Sequence, residues 1–276
     1  MTEKHEIRPE QSVELLKHLH ILTRDGKLNQ DSRRKLKQVY HLVQFIEPLL
    51  KETLEKHQDI NLVDIGAGKS YLGFILYDLF FKNRAGAAAL HAIETRPALI
   101  AQARELAGKC NFGGMRFHPL EAAQALESTD LPSRIDVVTA LHACNTATDD
   151  AIRFALGRKA QFIVLVPCCQ AEVAALLRKH KGQALANPIA ELWRHPIHTR
   201  EFGSHVTNVL RCLQLEAHGY QLNVTELVGW EHSMKNELIV ARRTPQPARH
   251  RAARLQELLG MLGLEEELRE RFFVPA

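Results

Sequence analysis

The sequence predicts an α/β protein in which helices cover both faces of a parallel β-sheet that ends in an antiparallel hairpin. Short apolar stretches alternate with helical periodicity between residues 60 and 166, and repeated strand–helix units of this kind build parallel sheets. The last two predicted strands, at residues 220–228 and 237–242, are joined by a short connection typical of a hairpin. A chain of 276 residues, of which 45% are hydrophobic, can bury one large core or a domain with appendages.

Each element of the parallel sheet is predicted from its own local pattern. Small and apolar runs indicate strands at residues 60–65, 87–93, 115–118, 135–141 and 161–166. Apolar residues at helical spacing indicate helices between them, notably at residues 70–81, 97–107 and 149–157. Pro97 opens one of these helices at a position where its missing N–H is not needed.

Further helices flank the sheet and divide the chain into three parts. Apolar residues at helical spacing in residues 11–22 and 32–57, with Asp31 or Ser32 available as an N-cap, predict an N-terminal helical cap over the sheet or its ligand cleft. The predicted parts are the cap at residues 1–57, an α/β domain at 58–243 with a substrate-side insertion at 187–218, and a proline-containing linker with a C-terminal helix at 244–276.

Charge and cysteine content narrow the functional classes. The net charge is only +4, so the basic segments at residues 23–37 and 242–254 permit a nucleic-acid partner without requiring one. No apolar run approaches the length of a membrane span, and the N-terminus has no signal-peptide pattern. The five cysteines do not form the even, spaced framework of a disulfide-rich protein. We expect a cytoplasmic enzyme with reduced thiols and no membrane association.

The turn after the first strand indicates a nucleotide-like cofactor. The segment Asp64-Ile-Gly-Ala-Gly68 joins a buried strand to a helix, and its glycines allow the backbone to turn tightly beside a ligand. A dinucleotide-binding turn would have its third glycine in place of Tyr71, and a phosphate-binding P-loop would have a glycine in place of Val63. The segment resembles motif I of class I methyltransferases that depend on S-adenosylmethionine (SAM). A tight turn without a ligand is the alternative.

This resemblance implies roles for the residues around the turn. The glycine loop would pass beside the amino-acid end of SAM, and Asp64 would orient the loop or the ammonium group of the cofactor. Glu94, at the tip of the second strand, would hold the ribose, because a carboxylate accepts from two vicinal hydroxyls. A solvated acid near a helix N-terminus is the alternative for Glu94. The predicted cofactor-binding residues are Asp64, Gly66, Ala67, Gly68, Tyr71 and Glu94.

The segments after the fourth and fifth strands carry a second, more specific resemblance. They read Ala140-Leu-His-Ala-Cys-Asn-Thr-Ala-Thr-Asp-Asp150 and Val166-Pro-Cys-Cys-Gln170. Together they resemble the methyltransferase domain 32 family, which is related to a tRNA 2′-O-methyltransferase, over residues 35–243. The resemblance implies a Rossmann-like class I methyltransferase fold with SAM as cofactor.

Three polar residues of the first segment are candidate catalytic residues. Methyl transfer to oxygen or nitrogen needs aligned reactants and a proton acceptor. His142 offers a ring nitrogen for that purpose, although it could also hydrogen-bond a ligand or be structural. Asn145 stands where we expect Asp or Gly in relatives, and its amide carries no charge. Asp149 is the third candidate, and the alternative for it is to cap the helix that follows.

The adjacent Cys168 and Cys169 admit three interpretations. They could be buried structural thiols, zinc ligands together with His142 and Cys144, or nucleophiles that attack a pyrimidine ring. Adjacent cysteines lack the Cys-x-x-Cys spacing of ordinary zinc sites, so the structural interpretation is favoured and no metal is predicted. Cys169 is also a candidate substrate contact.

The insertion supplies further candidate substrate contacts. Histidine, arginine and asparagine side chains interleave there with Trp193 and Phe202, a mixture suited to a phosphorylated or nucleobase-bearing substrate. Metal-binding or ordinary surface histidines are the alternative. The predicted substrate-binding residues are Cys169, His198, Arg200, His205 and Asn208.

These features predict a cytoplasmic SAM-dependent methyltransferase whose substrate is RNA, with tRNA or rRNA as the favoured class. The RNA prediction depends on the family resemblance, the two basic segments and the insertion. A methyltransferase that acts on a small molecule or a protein is the first alternative. A SAM-binding scaffold protein without turnover is the second, motivated by Asn145.

Overall fold

A seven-stranded β-sheet lies at the centre of the computed structural model, which describes residues 7–84, 88–141, 143–168, 170–180, 188–227, 237–245 and 249–275. The strands are β1 (Ile60–Ile65), β2 (Ala88–Ile93), β3 (Met115–His118), β4 (Val137–Leu141), β5 (Phe162–Val166), β6 (Tyr220–Glu226) and β7 (Glu237–Arg243). Each of the seven predicted strands is present, with ends within two residues of the prediction.

The strand order across the sheet is β3-β2-β1-β4-β5-β7-β6. The first five strands run parallel, whereas β7 pairs antiparallel with both β5 and β6. The predicted parallel sheet with a terminal antiparallel hairpin is therefore confirmed. The connections change direction between β1 and β4, and open α/β sheets bind ligands at such a switch point, beyond the carboxyl ends of the strands.

Ten α-helices flank the sheet in the described ranges. They are α1 (Val13–His18), α2 (Gln30–Lys56), α3 (Tyr71–Leu76), α4 (Pro97–Lys109), α5 (Ala122–Glu127), α6 (Ala147–Gly157), α7 (Glu172–Lys179), α8 (Pro196–Ala217), α9 (Arg249–Met261) and α10 (Glu265–Leu268). A π-helical turn, Tyr77–Phe81, continues α3, and a 3₁₀ turn, Pro188–Trp193, precedes α8. None of these helices combines the length and the hydropathy needed to cross a lipid bilayer.

The start of α2 differs from the prediction. Asn29, and not Asp31 or Ser32, is the N-cap, because its side-chain oxygen accepts a hydrogen bond from the Ser32 backbone N–H at 2.8 Å. Asp31 instead lies in the first turn, where it pairs with Lys35 at 2.9 Å and where the helix dipole favours an acid.

The two faces of the sheet pack against different helices. All five residues of β5 are buried, as expected for a strand covered on both sides. One face and helices α1 to α4 share a single hydrophobic cluster, to which the cap contributes Leu15, Leu16, Ile46 and Leu50. The opposite face packs against α5 and α6. The N-terminal helices therefore belong to the main core of the molecule.

A third hydrophobic cluster lies among helices alone, and we call the elements around it the helical lobe: α7, the 3₁₀ turn, α8, α9 and α10. Its buried residues are Val173, Leu177, Trp193, Val206, Leu210, Leu255, Leu259, Leu262, Leu264, Leu268 and Phe272. The predicted C-terminal helix is two helices, because Gly263 adopts a φ of 65° after α9 and ends it. The insertion and the C-terminal segment thus share one core.

Candidate functional site

The loop between β1 and α3 has an open backbone turn. Gly66 and Gly68 adopt φ angles of 67° and 58°, a region that costs other residues about 1–2 kcal/mol. The Ala67 backbone N–H donates to the Ile93 carbonyl of β2 at 3.0 Å, which fixes the loop against the neighbouring strand. A Cβ placed on Gly66 would meet only the Ala143 Cβ, at 3.9 Å. The glycines therefore leave room for a ligand at the carboxyl edge of the sheet.

The third glycine of this segment, Gly73, has a packing role. A Cβ at Gly73 would lie 2.5 Å from the Ser70 Oγ and 3.1 Å from the Leu90 Cδ2. Ser70 itself adopts a φ of 56° directly before α3. Gly73 thus allows α3 to pack closely on β2, as the third glycine of a dinucleotide-binding turn does, but two residues later in the chain.

Asp64 is buried at the end of β1 and faces the neighbouring strand. Its Oδ1 accepts a hydrogen bond from the Thr139 Oγ1 of β4 at 2.7 Å. Burial raises the pKa of this carboxyl to about 7, although the hydrogen bond from Thr139 acts in the opposite direction. The hydrogen bond between Thr139 and Asp64 therefore joins β4 to β1 beside the glycine loop. Contact between Asp64 and the cofactor stays a prediction.

Glu94 lies at the tip of β2 and is connected to the glycine loop. Its Oε2 accepts from the Gly68 backbone N–H at 2.8 Å and from the Arg96 Nη2 at 2.9 Å. Its Oε1 accepts from the Arg96 backbone N–H at 3.0 Å and from the Arg96 Nε at 2.8 Å. The hydrogen bonds from the Arg96 side chain are the main reason that the pKa of Glu94 is lowered to about 2.

These residues fit a ribose-bearing cofactor. The carboxylate of Glu94 is adjacent to two glycines in the left-handed region, and the space above Gly66 is open. The Arg96 side chain now uses both oxygens of Glu94, but it is 65% exposed, so it can leave without unpacking the core. Tyr71 has a different position, because it lines a cavity of about 200 Å³ between α1, α3 and α4.

The opposite part of the site is formed by the loops after β4 and β5. His142 and Cys169, which we predict to contact ligands, lie outside the described residues. Cys144 and Cys168 are brought together, with their Sγ atoms 3.4 Å apart. No group of three or more histidine, cysteine or acidic side chains in the described ranges could hold a metal ion.

Arg211 of α8 is the centre of this part of the site, and the sequence analysis did not identify it. Its side chain is buried and donates from Nε and Nη2 to the two oxygens of Asp149, at 2.7 and 2.9 Å. It also donates to the Asn208 Oδ1 at 3.2 Å and to the Asn145 carbonyl at 2.9 Å. An arginine beside Leu210, within the apolar spacing of α8, is the sequence signal for such a buried ion pair.

Three predicted site residues are therefore parts of a structural network. Asn145 adopts a φ of 50°, and its side-chain oxygen accepts from the Ala171 backbone N–H at 3.1 Å. Asp149 lies inside α6 and does not cap it, because the N-cap is Thr146. Asn208 is buried and donates to the Glu237 Oε2 at 2.7 Å. This network fixes the loops after β4 and β5 relative to α8.

The remaining predicted substrate contacts are separate from this network. His198, Arg200 and His205 are exposed on α8. The two aromatic residues of the insertion do not accompany them at the surface, because Trp193 is buried and stacks on Phe202 with a centroid distance of 5.1 Å inside the helical lobe. Of the expected aromatic and basic groups, the histidine and arginine side chains are thus exposed, whereas Trp193 is not.

Comparison with protein families identifies the chain. Residues 34–176, just over half of its length, match the methyltransferase domain 32 family, described as a methyltransferase domain. The chain belongs to this family. It is therefore a SAM-dependent methyltransferase, with S-adenosylmethionine as its cofactor. A comparison with curated protein sequences gives no match.

Three solved structures show limited similarity to this chain. Magnesium protoporphyrin IX methyltransferase from Synechocystis PCC 6803 is 13% identical, with a TM-score of 0.48 over 83% of this chain and 94% of that one. The fibrillarin pre-rRNA processing protein of Methanococcus jannaschii is 12% identical, with a TM-score of 0.44 over 69% of each chain. Precorrin-6y C5,15-methyltransferase from Geobacter metallireducens is 20% identical, with a TM-score of 0.39 over 70% and 86%. Identities this low concern the fold alone.

Proposed function

We propose that this SAM-dependent methyltransferase acts on RNA, with tRNA or rRNA as the substrate class. The observation that carries the proposal is the exposed, histidine- and arginine-rich start of α8 beyond the carboxyl edge of the sheet. Methyltransferases for small molecules or proteins use the same cofactor chemistry, so the substrate must be argued from this surface.

The direction of α8 follows from its contacts. Near the middle of the helix, Asn208 contacts Gln170 after β5 and Glu237 at the start of β7, so it lies level with the carboxyl edge. The helix ends at Ala217, and Tyr220 then reaches the Ala160 carbonyl at the opposite edge. The twelve residues before Asn208 therefore extend about 18 Å beyond the carboxyl edge, on the side where SAM binds.

The chemistry of this surface suits RNA. His195 and His198 lie edge to face with a centroid distance of 5.3 Å, and the exposed Arg200 follows on α8. Two apolar side chains, Leu192 and Ile197, are 56% and 60% exposed beside them. Cations contact phosphates, while imidazole rings and exposed apolar groups pack against unstacked bases. A single-stranded loop of a folded RNA combines both features.

We propose the following roles around the reacting atoms. SAM supplies a methyl group that its sulfonium activates for transfer. The glycine loop holds the amino-acid end of the cofactor, and Glu94 exchanges the Arg96 side chain for the ribose hydroxyls. His142 accepts a proton from the substrate or orients it. Asn145 and Asp149 position the loop that carries His142, since their polar groups are engaged by Ala171 and Arg211.

We also propose a division of labour along the chain. Residues 1–57 cap the sheet, residues 58–243 bind SAM and carry out methyl transfer, and residues 187–218 contribute the substrate side. The helices within residues 244–276 support that side, because their leucines complete the core of the helical lobe.

The proposal is tested by methyl transfer from tritiated SAM to fractionated cellular material. We expect label in the RNA fraction, and we expect the double variant His198→Ala/Arg200→Ala to lose at least tenfold in kcat/KM for RNA while it binds S-adenosylhomocysteine normally. Lys56→Ala is the matched control, because this exposed cation lies at the end of α2, before β1 begins. Binding to RNA should also weaken steeply as salt increases.

Other outcomes would redirect the proposal. Label in the small-molecule or protein fraction, with none in RNA, would overturn the RNA substrate and leave the methyltransferase assignment in place. Saturable binding of S-adenosylhomocysteine without label in any fraction would support a non-catalytic scaffold.

A further inference from the structure

We propose that Cys144 and Cys168 form a redox-active dithiol that closes to a reversible disulfide by exchange with a low-molecular-weight disulfide of the glutathione class. The two cysteines lie on the loops after β4 and β5, at the substrate side of the site. The inference uses neither the RNA substrate nor the proposed catalytic roles.

The sulfur atoms of Cys144 and Cys168 lie in contact. The two Sγ atoms are 3.4 Å apart, and a disulfide bond is about 2.0 Å long, so the sulfur atoms must approach by about 1.4 Å. The residues are 24 positions apart in sequence, so their contact is a product of the tertiary fold. Cys144 is exposed, so its sulfur can move toward Cys168 by rotation about the Cα–Cβ bond.

The two loops that carry these cysteines are already held together. The side chain of Asn145, next to Cys144, accepts from the Ala171 backbone N–H at 3.1 Å. The carbonyl of Asn145 accepts from the buried Arg211 at 2.9 Å. Because these bonds restrain both loops, the Cys168 thiol has a high effective concentration beside a mixed disulfide formed on Cys144.

Cys110 and Cys212 are less exposed than Cys144. Burial raises the pKa of the Cys212 thiol to about 12 and also raises the pKa of the Cys110 thiol, which suppresses the nucleophilic thiolate at both positions. Cys144 is exposed, and Cys168, whose sulfur lies 3.4 Å from that of Cys144, is half-buried. Among the four cysteines that the structure describes, Cys144 is thus the exposed attacking sulfur, with that of Cys168 beside it.

The chemistry proceeds in two balanced steps. The Cys144 thiolate attacks one sulfur of oxidised glutathione, which forms a mixed disulfide and releases one glutathione thiolate. The Cys168 thiolate then attacks the Cys144 sulfur, which forms the Cys144–Cys168 bond and releases the second glutathione thiolate. The two protons lost by the cysteines are taken up by the two released thiolates. The protein loses two electrons, and oxidised glutathione gains them.

The test is incubation of the full-length protein in oxidised and reduced glutathione at a series of ratios, followed by alkylation and peptide mapping. We expect a Cys144–Cys168 cross-link in the wild type that dithiothreitol reverses. Cys168→Ser should instead accumulate a stable glutathione adduct on Cys144. In Cys144→Ser, glutathione should modify Cys168 at least tenfold more slowly than it modifies Cys144 in Cys168→Ser, because Cys168 is less accessible. Cys212→Ser is the control and should form the cross-link like the wild type.

The mapping also defines failure. A link from Cys169 to either cysteine, or a glutathione adduct that persists on Cys144 in the wild type, would overturn the proposal. So would an uncross-linked wild type at the highest ratio. Circular dichroism of each variant establishes that it is folded, and Cys169→Ser, which should retain the cross-link, keeps the proposal testable if Cys168→Ser is unstable.

Discussion

The glycine loop with Glu94, which we call the cofactor side after its proposed role, and the loops after β4 and β5 with α8, which we call the substrate side for the same reason, are held together in different ways. On the cofactor side, backbone N–H groups of consecutive residues make the contacts, as Ala67 does to Ile93 and Gly68 does to Glu94. On the substrate side, the buried Arg211 joins α8 to the Asp149 carboxylate and the Asn145 carbonyl, which are more than 60 residues away in sequence. The first side depends on the shape of a short turn, whereas the second depends on the matching of a buried charge. The two sides should therefore fail under different changes.

The largest effect should come from the buried charge. Arg211→Met leaves Asp149 buried without its bidentate partner, so the free energy of unfolding should fall by about 3–5 kcal/mol. Urea unfolding measures this change. The double variant Arg211→Met/Asp149→Leu should recover most of the loss, since it removes both charges. A loss below about 1 kcal/mol in the single variant would mean that Arg271, 3.7 Å from Asp149, is a sufficient partner.

The next effect is a pH dependence of stability that arises from Asp64 on the cofactor side. Burial raises the pKa of Asp64 from 3.8 to about 7, so the folded state holds a proton that the unfolded state has released. Stability should therefore fall as pH rises from about 4 to 7, by up to about 1.4 kcal/mol per pH unit from this group. Asp64→Asn should remove that slope in unfolding measurements at pH 5, 6 and 7. Parallel slopes in the two proteins would show that Asp64 is ionised throughout this range.

A third comparison concerns helix packing beside the glycine loop. Gly73→Ala places a methyl group 2.5 Å from the Ser70 Oγ, and the free energy of unfolding should fall by about 1–3 kcal/mol. The matched control is Gly108→Ala in α4, where a Cβ meets nothing within 4 Å, and this change should stabilise the protein by about 0.5–1 kcal/mol. Thermal unfolding of both variants decides the point. Equal shifts would mean that the close approach of α3 and β2 relaxes freely.

The cofactor contact itself should respond to loss of Glu94. Glu94→Ala removes the acceptor that we propose for the ribose hydroxyls, and calorimetric titration should find S-adenosylhomocysteine bound at least about tenfold more weakly. The fold should persist, since the carboxylate lies at a strand tip. Glu172→Ala, which removes a partly exposed acid of the helical lobe, should bind the ligand like the wild type. Unchanged binding by Glu94→Ala would disprove the ribose role.

The smallest effect should come from Arg96. Because its side chain occupies both oxygens of Glu94, Arg96→Gln should strengthen S-adenosylhomocysteine binding, by up to about fivefold. The limit follows from the high exposure of the guanidinium, since exposed ion pairs contribute at most about 1 kcal/mol. Weaker binding would mean that Arg96 contacts the bound ligand directly. The same titration therefore distinguishes a competitor from a ligand contact.

The backbone geometry of the cofactor side could be predicted from sequence because its determinants are local. The strand, the two glycines and the helix start lie within one short segment, and Glu94 follows at the tip of the next strand. The α/β fold and the terminal hairpin were predictable for the same reason, since each strand carries its own apolar pattern. The Arg96 contact was not predictable, because exposed arginines rarely reveal their partners in sequence.

For the substrate side, individual polar residues could be predicted from the sequence, but the contacts between them could not. Asn145, Asp149 and Asn208 were identified, but their common partner Arg211 is 62 residues from Asp149, and only the tertiary fold brings the two together. The core shared by the insertion and the C-terminal helices was not predictable for the same reason, because only the tertiary fold brings these segments together. Trp193 illustrates the error that follows, because an aromatic residue among basic neighbours suggests base stacking, whereas its ring packs inside the helical lobe.

The composition of the helical lobe also sets an order of events during synthesis. The glycine loop and the first five strands leave the ribosome well before the leucines at positions 255 to 268 that close the core around α7 and α8. Because these leucines follow the whole sheet in the chain, the helical lobe can close only after every strand, including β6 and β7, has been synthesised.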